Sequence, residues 1–174
     1  MTATPDGIVL ARHRDLQGRR YERWVRRGLL VLLASFIGLG LANVFGERPS
    51  GAKAASPVAS LTVYSPTAVR GGLYFEARFD VRARQELKDA QLVLDTGWLE
   101  GMTLNTIEPS PIGEASRDGK LALDLGHVAA GHSFILYVQA QVNPTNVGRR
   151  SIGTTLYDGS RRLLRVNRRM TVFP

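Results

Sequence analysis

The chain has 174 residues, 44% of them apolar, no cysteine, and a formal charge of +8 at pH 7. The absence of thiols excludes disulfide frameworks, cysteine-ligated metal sites and a lipid-modified cysteine anchor, so any folded domain must rest on its apolar core. The charge does not point to nucleic acid. Residues 1–27 hold seven arginines against Asp6, Asp15 and Glu22, a net of +4, while residues 56–174 hold fourteen basic and eleven acidic residues, a net of only +3.

Arg12, Arg14, Arg19, Arg20, Arg23, Arg26 and Arg27 make residues 1–27 an Arg-rich segment. Eighteen residues without a charge follow, from Gly28 to Phe45. At ~1.5 Å per residue they would give a helix of about 27 Å, close to the ~30 Å of a hydrocarbon core. Positive flanks stay on the cytoplasmic side, so residues 28–46 are expected as a transmembrane helix with the N-terminus inside, in a cell membrane, and the rest outside. A cleaved signal is the alternative reading. Arg26-Arg27-Gly28-Leu29-Leu30 resembles a twin-arginine motif, and Ala52-Lys53-Ala54 has the small-x-small pattern of a cleavage site. The long apolar run and long leader favour the uncleaved anchor.

Ala34, Gly38, Ala42 and Gly46 recur every four residues and would form one small-residue stripe, a face on which a partner helix or a second copy can approach closely. Tyr21 and Trp24 precede the apolar run, where amphipathic rings settle at headgroup level. Residues 47–57 (ERPSGAKAASP) are rich in Pro, Gly, Ser and Ala and are expected as a short extended tether.

Residues 58–174 are expected as the outer domain, because the period changes to strict alternation. Phe75, Ala77, Phe79 and Val81 interleave with Glu76, Arg78, Asp80 and Arg82. Phe134, Leu136, Val138, Ala140 and Val142 repeat the pattern, and Leu121, Leu123 and Leu125 form a third run. Shorter runs lie at 61–64, 90–94, 103–107, 151–157 and 163–172. Turn signals separate them, among them Arg70-Gly71-Gly72, Asp118-Gly119 and Asp158-Gly159-Ser160. The spacing predicts a mainly β fold, an immunoglobulin-like antiparallel sandwich of seven or eight strands.

The stretch from Leu92 to Val142 resembles the immunoglobulin-like surface domains of the CARDB, NEW3 and DUF11 style. Glu100-Gly101-Met102-Thr103-Leu104 is similar to their early turn, and Leu121 through Ser133 (LALDLGHVAAGHS) to their strand, glycine turn and following strand. The resemblance implies a fold and a spacer or adhesive role, through glycines that permit turns and leucines that fill a core. It implies no catalytic residue.

Chemistry-bearing residues are sparse. His127 and His132 flank a turn without an evident third ligand, so no metal or cofactor is expected. The carboxylates are scattered, and no nucleophile, zinc or phosphate-loop motif occurs. Arg149, Arg150, Arg161, Arg162, Arg165, Arg168 and Arg169 crowd the last strands and are read as a basic surface, either solvated edge protection or a face for headgroups, wall polymer or an acidic partner. Tyr64, Tyr74, Trp98 and Tyr137 are candidate exposed aromatics, with Trp98 alternatively a plug between the sheets. The favoured function is a non-catalytic accessory or scaffold subunit binding another membrane or envelope protein. The alternative is a membrane-anchored module for wall glycan or an extracellular ligand.

Overall fold

The structure, a computed structural model, describes residues 20–42 and 49–174. They belong to two units, a helix and a β-domain.

Helix α1 runs over Arg20–Leu41. Its 22 residues give about 33 Å, and the stretch Tyr21–Leu41 is long and apolar enough to cross a membrane. The helix starts eight residues before the expected boundary at Gly28. Arg and Glu are good helix formers, so a charged flank extends a helix rather than ending it, and Glu22 in the first turn complements the backbone dipole. Tyr21 and Trp24 are exposed on these first turns, with the Arg27 guanidinium 5.6 Å from the Trp24 ring centre. The one hydroxyl in the apolar run is satisfied within the helix: Ser35 Oγ donates to the Val31 carbonyl at 2.7 Å. Ala42 N donates to the Gly38 carbonyl at 2.9 Å, so the helical turn reaches Ala42 and keeps Ala34, Gly38 and Ala42 on one face. Gly46 lies outside the described residues.

The β-domain holds, in chain order, β1 (Pro49–Ala55), β2 (Ala59–Pro66), β3 (Ala68–Arg70), β4 (Tyr74–Ala83), β5 (Leu87–Leu94), β6 (Met102–Glu108), β7 (Gly113–Arg117), β8 (Lys120–Val128), β9 (Ser133–Val142), β10 (Gly148–Ser151), β11 (Thr154–Asp158), β12 (Arg161–Val166) and β13 (Arg169–Phe173). A five-stranded sheet of order β1-β2-β4-β9-β6 faces a second of order β12-β11-β5-β8-β7. A small sheet, β10-β13-β3, contains the one parallel pairing among the described strands, β13 with β3. This is the expected immunoglobulin-like sandwich, with more strands than the seven or eight anticipated.

The extra strands have identifiable causes. The expected tether becomes β1, because β2 offers an open edge and backbone pairing needs no particular side chain; Ala52 and Ala54 turn inward against the core. The runs at 151–157 and 163–172 each break, at Ile152-Gly153 and at Asn167-Arg168, so their halves join different sheets.

Alternation sets the core. Phe75, Ala77, Phe79, Val81 and, on β9, Leu136, Val138, Ala140 and Val142 are buried from the first sheet; Leu92, Leu94, Leu123, Leu125 and Leu156 oppose them. Trp98, in a 3-10 turn over Thr96–Trp98, is fully buried as the plug, its ring centre 5.4 Å from Phe79 and 6.3 Å from Phe75. Its Nε1–H donates to the Ile152 carbonyl at 3.1 Å, so the indole is buried without an unpaired donor. Gly97 must precede it: a Cβ there would sit 2.0 Å from the Ser151 carbonyl oxygen.

Phe79→Ala should therefore cost about 3–5 kcal/mol, by removing a ring from the centre of the core. Arg82→Ala, on the exposed face of the same strand, should stay within ~0.5 kcal/mol. Denaturation of the full chain in detergent, in a Trp24→Phe background that leaves Trp98 as the reporter, separates the two; equal losses would mean the strand faces are misassigned.

Candidate binding face

The outer face of the first sheet carries a continuous polar and aromatic row. Strand register places Gly51, Tyr64, Arg78, Tyr137 and Glu108 side by side across all five strands. The Arg78 guanidinium stacks 4.2 Å from the Tyr64 ring centre. Tyr64 in turn leans over β1, where a Cβ on Gly51 would sit 2.9 Å from its Cε1. Gly51 thus lets the ring lie down on the sheet. Burial pulls the Arg78 pKa down, and the Tyr64 and Tyr137 hydroxyls more than offset that, so the net shift is upward and the cation is held.

Shallow grooves flank Tyr137. One, of about 370 Å³, is lined by Pro49, Tyr64, Pro66, Glu76 and Arg78; the other, of about 460 Å³, by Glu76, Thr106, Glu108, Pro109 and Gln139. Tyr74 also lies on this face and is well exposed. Of the four candidate aromatics, three are thus on one sheet face, and Trp98 is in the core.

The arginines expected as one basic surface are distributed over several sites. Arg161 and Arg162 are exposed at the β11–β12 turn, and Arg149 and Arg169 on the small sheet. Arg150 is half-buried, donating to the Asn146 carbonyl at 2.9 Å, to Asn146 Oδ1 at 2.6 Å and to the Glu100 carbonyl. Arg168 is buried: its guanidinium donates to the carbonyls of Val63 at 3.2 Å and Ser65 at 2.7 Å and to Ser50 Oγ at 2.8 Å. Burial pulls its pKa down. Arg165 and Arg169 lie on different strands, because the chain breaks at Asn167-Arg168 between β12 and β13.

Arg165 instead meets Asp95. Its Nη1 lies 3.0 Å from Asp95 Oδ1, its Nη2 bonds Oδ2, and it also donates to Thr155 Oγ1 at 3.2 Å. Lys120 Nζ is 3.0 Å from Oδ1, and Ser151 Oγ donates to Oδ2 at 2.9 Å. These donors tie β8, β12 and the chain before Ile152 to the end of β5. Nothing in the sequence singled out Asp95; its partners lie 25 to 70 residues away, and only the fold joins them.

The two outer histidines go separate ways, His127 Nε2 to Glu86 Oε1 at 3.0 Å and His132 Nδ1 to the Ala130 carbonyl at 3.3 Å. Among the described residues no group of three or more His, Cys, Asp or Glu could hold a metal ion.

No protein-family model matches this chain, and no curated protein matches it in sequence. Among solved structures it is similar to a non-cellulosomal cohesin from Archaeoglobus fulgidus, at 13% identity over 62% of this chain and 87% of that one, TM-score 0.39. It is similar to a FixG-related protein from Vibrio parahaemolyticus, at 14% identity over 69% and 100%, TM-score 0.39. A CARDB domain from Pyrococcus furiosus, determined in complex with di-metal ions, shows 15% identity over 68% and 97%, TM-score 0.39. Likenesses this distant transfer no residue and no ligand, and the sandwich is read from this chain's own sheets.

Burial raises the Asp95 pKa, and the bonds from Arg165, Lys120 and Ser151 more than offset it, so the folded value lies below the ordinary 3.8. A lowered carboxylate pKa contributes stability that is present above the unfolded value and lost as pH falls through the folded one. The wild-type domain should accordingly lose stability below pH 3.8. Asp95→Asn should be about 1–3 kcal/mol less stable at pH 7, with a shallower decline in that acid window. Chemical denaturation between pH 7 and pH 2 checks both; parallel acid limbs would remove Asp95 from the account.

Proposed function

We propose that the chain is a non-catalytic, single-span membrane protein whose outer sandwich binds another membrane or envelope protein through the exposed face of its first sheet. The Arg-rich segment lies in the cytoplasm, α1 crosses the bilayer, and the sandwich is extracytoplasmic. The arginine bias before the apolar run supports this topology. The uncleaved anchor gains support from β1: Ala52, Lys53 and Ala54 pair with Val63, Thr62 and Leu61. Cleavage after Ala54 would strip most of that strand and take Ser50 from the buried Arg168.

The Tyr64–Arg78–Tyr137 row carries the binding assignment. Tyr and Arg are the residues that most often anchor protein interfaces, and here they sit mid-sheet within a charged rim of Glu76, Asp80, Arg82 and Glu108. A glycan strip is the weaker reading, because sugar stacking needs open ring faces. Tyr64 is covered by Arg78 on one side and lies against Gly51 on the other. Tyr74 and Tyr137 alone are a short platform.

A photo-crosslinking residue at Tyr137 in the full chain, activated in native membranes, should trap one defined protein. The same residue at Lys88, on the second sheet, should not, and Arg78→Glu should reduce the Tyr137 product at least tenfold, since hot-spot changes cost about 2 kcal/mol or more. Equal trapping from both sheets, or adducts to glycan alone, would overturn the assignment.

The helix face of Ala34, Gly38 and Ala42 is proposed as a second contact with the partner or with another copy. Replacing Gly38 by Leu adds bulk where backbones must approach, whereas Leu39→Ile alters a neighbouring face. Cross-linked dimers or heterodimers should fall in Gly38→Leu and persist in Leu39→Ile. Identical cross-links would reduce α1 to an anchor.

A further inference from the structure

We infer that the end of the sandwich where β1 begins is a lipid-docking surface that seats on the outer face of an anionic bilayer. The inference rests on the proposal that α1 spans the membrane. Three segments, residues 66–74, 142–149 and 171–173, form this end. They are tied together by Gly72 N–H to the Val142 carbonyl at 2.9 Å and Gly71 N–H to the Phe173 carbonyl at 2.8 Å. Pro49 joins them through its pairing with Pro66.

The sandwich leaves eight large apolar side chains exposed, and four of them are here: Leu73 at 46%, Tyr74 at 63%, Val147 at 50% and Phe173 at 53%. The opposite end is different in kind. Its connections, tied by Arg84 N–H to the Val58 carbonyl at 2.8 Å and Ala83 N–H to the His132 carbonyl at 3.0 Å, expose Arg84, Gln85, Glu86 and His132. Elsewhere Ile112, Ile135 and Tyr137 are exposed singly, on the β6–β7 connection and on the first sheet. The densest apolar exposure of the sandwich is thus at the end where β1 begins, as at a contact surface.

Charge and chain length select the occupant. The three segments contain Arg70 and Arg149 and neither Asp nor Glu. The adjoining β5–β6 connection, whose Gly101 carbonyl accepts from Asn143 N–H at 2.9 Å, adds exposed Leu99 and Glu100, and Asp118 lies on the β7–β8 turn toward the same end. Aromatic and aliphatic side chains beside arginines suit the boundary between acyl chains and anionic headgroups. The uncharged run reaches Phe45, and four residues later the chain is already in the sandwich at Pro49. Four residues span at most about 14 Å, so a membrane-spanning run cannot let this end stray far from the surface.

The native chain has no cysteine, so single introduced ones can be labelled uniquely. Leu73→Cys and Phe173→Cys, with Gln85→Cys at the far end and Leu33→Cys in α1, are labelled with an environment-sensitive fluorophore. The full chain is then reconstituted into phosphatidylglycerol or phosphatidylcholine vesicles carrying a spin-labelled lipid quencher. Labels at 73 and 173 should be quenched in phosphatidylglycerol, less so in phosphatidylcholine, and the label at 85 in neither. Arg70→Glu and Arg149→Glu should each lower the docked-to-undocked ratio roughly five-fold. Quenching at 33 without quenching at 73 and 173 overturns the docking surface and leaves the span intact. Blue-shifted but unquenched labels at 73 and 173 would mean a second copy covers this end, and also overturn it. An unquenched label at 33 would instead refute the span, and the docking surface with it.

Discussion

Trp98 is the piece on which the sandwich depends. Two sheets that share no disulfide are held at their spacing by what lies between them, and the largest buried side chain lies at one end of that layer. Phe79 and Phe75 pack on it from the first sheet, while its Nε1–H is bonded to the chain that leads into the second. Its placement depends on Gly97, which allows the turn to press against the Ser151 backbone. The same segment presents Asp95 to Arg165, Lys120 and Ser151, so one connection after β5 sets both the apolar wedge and the polar clamp.

The two buried charges among the described residues, Asp95 and Arg168, are handled by opposite means. Asp95 is ionised and surrounded by donors from three parts of the chain. Arg168 is buried against carbonyls and a serine hydroxyl, with no carboxylate among its described partners. The two terminal nitrogens are hydrogen-bonded while Nε is buried without a partner, and burial pulls the pKa down with no ion pair to offset it. The arrangement suits its position. Arg168 marks the place where the chain leaves β12 in one sheet for β13 in another, and its bonds to β1 and β2 fix that crossing to the first sheet.

Legibility from sequence followed period and range. The apolar helix and the strands Phe75–Val81 and Phe134–Val142 were readable because their patterns are local and repeat several times. Seven arginines crowded near the end of the chain were not separable by eye into an exposed pair at a hairpin, a clamp and a buried tie. That separation depends on a two-residue break, Asn167-Arg168, which leaves no mark in an alternating pattern. The tether became a strand for a related reason: whether Pro49–Ala55 pairs is decided by the free edge of β2 and hardly by its own composition. Tyr64, Arg78 and Tyr137 were each visible, but their meeting requires the register of β2, β4 and β9 at once.

The candidate face and the proposed docking end meet at a corner, and this limits what can bind. Tyr64 is two residues from Pro66 along β2, and Arg78 is four from Tyr74 along β4. At ~3.3 Å per residue the row lies only about 7–13 Å from the end proposed to dock. A sandwich seated on that end would hold the Tyr64–Arg78–Tyr137 row upright and just above the headgroups. Large soluble ligands would meet the bilayer before reaching it. If the end docks as proposed, the partner that fits is a membrane protein whose outer portion rises beside its own spans, the same kind of partner as that proposed for the small-residue helix face.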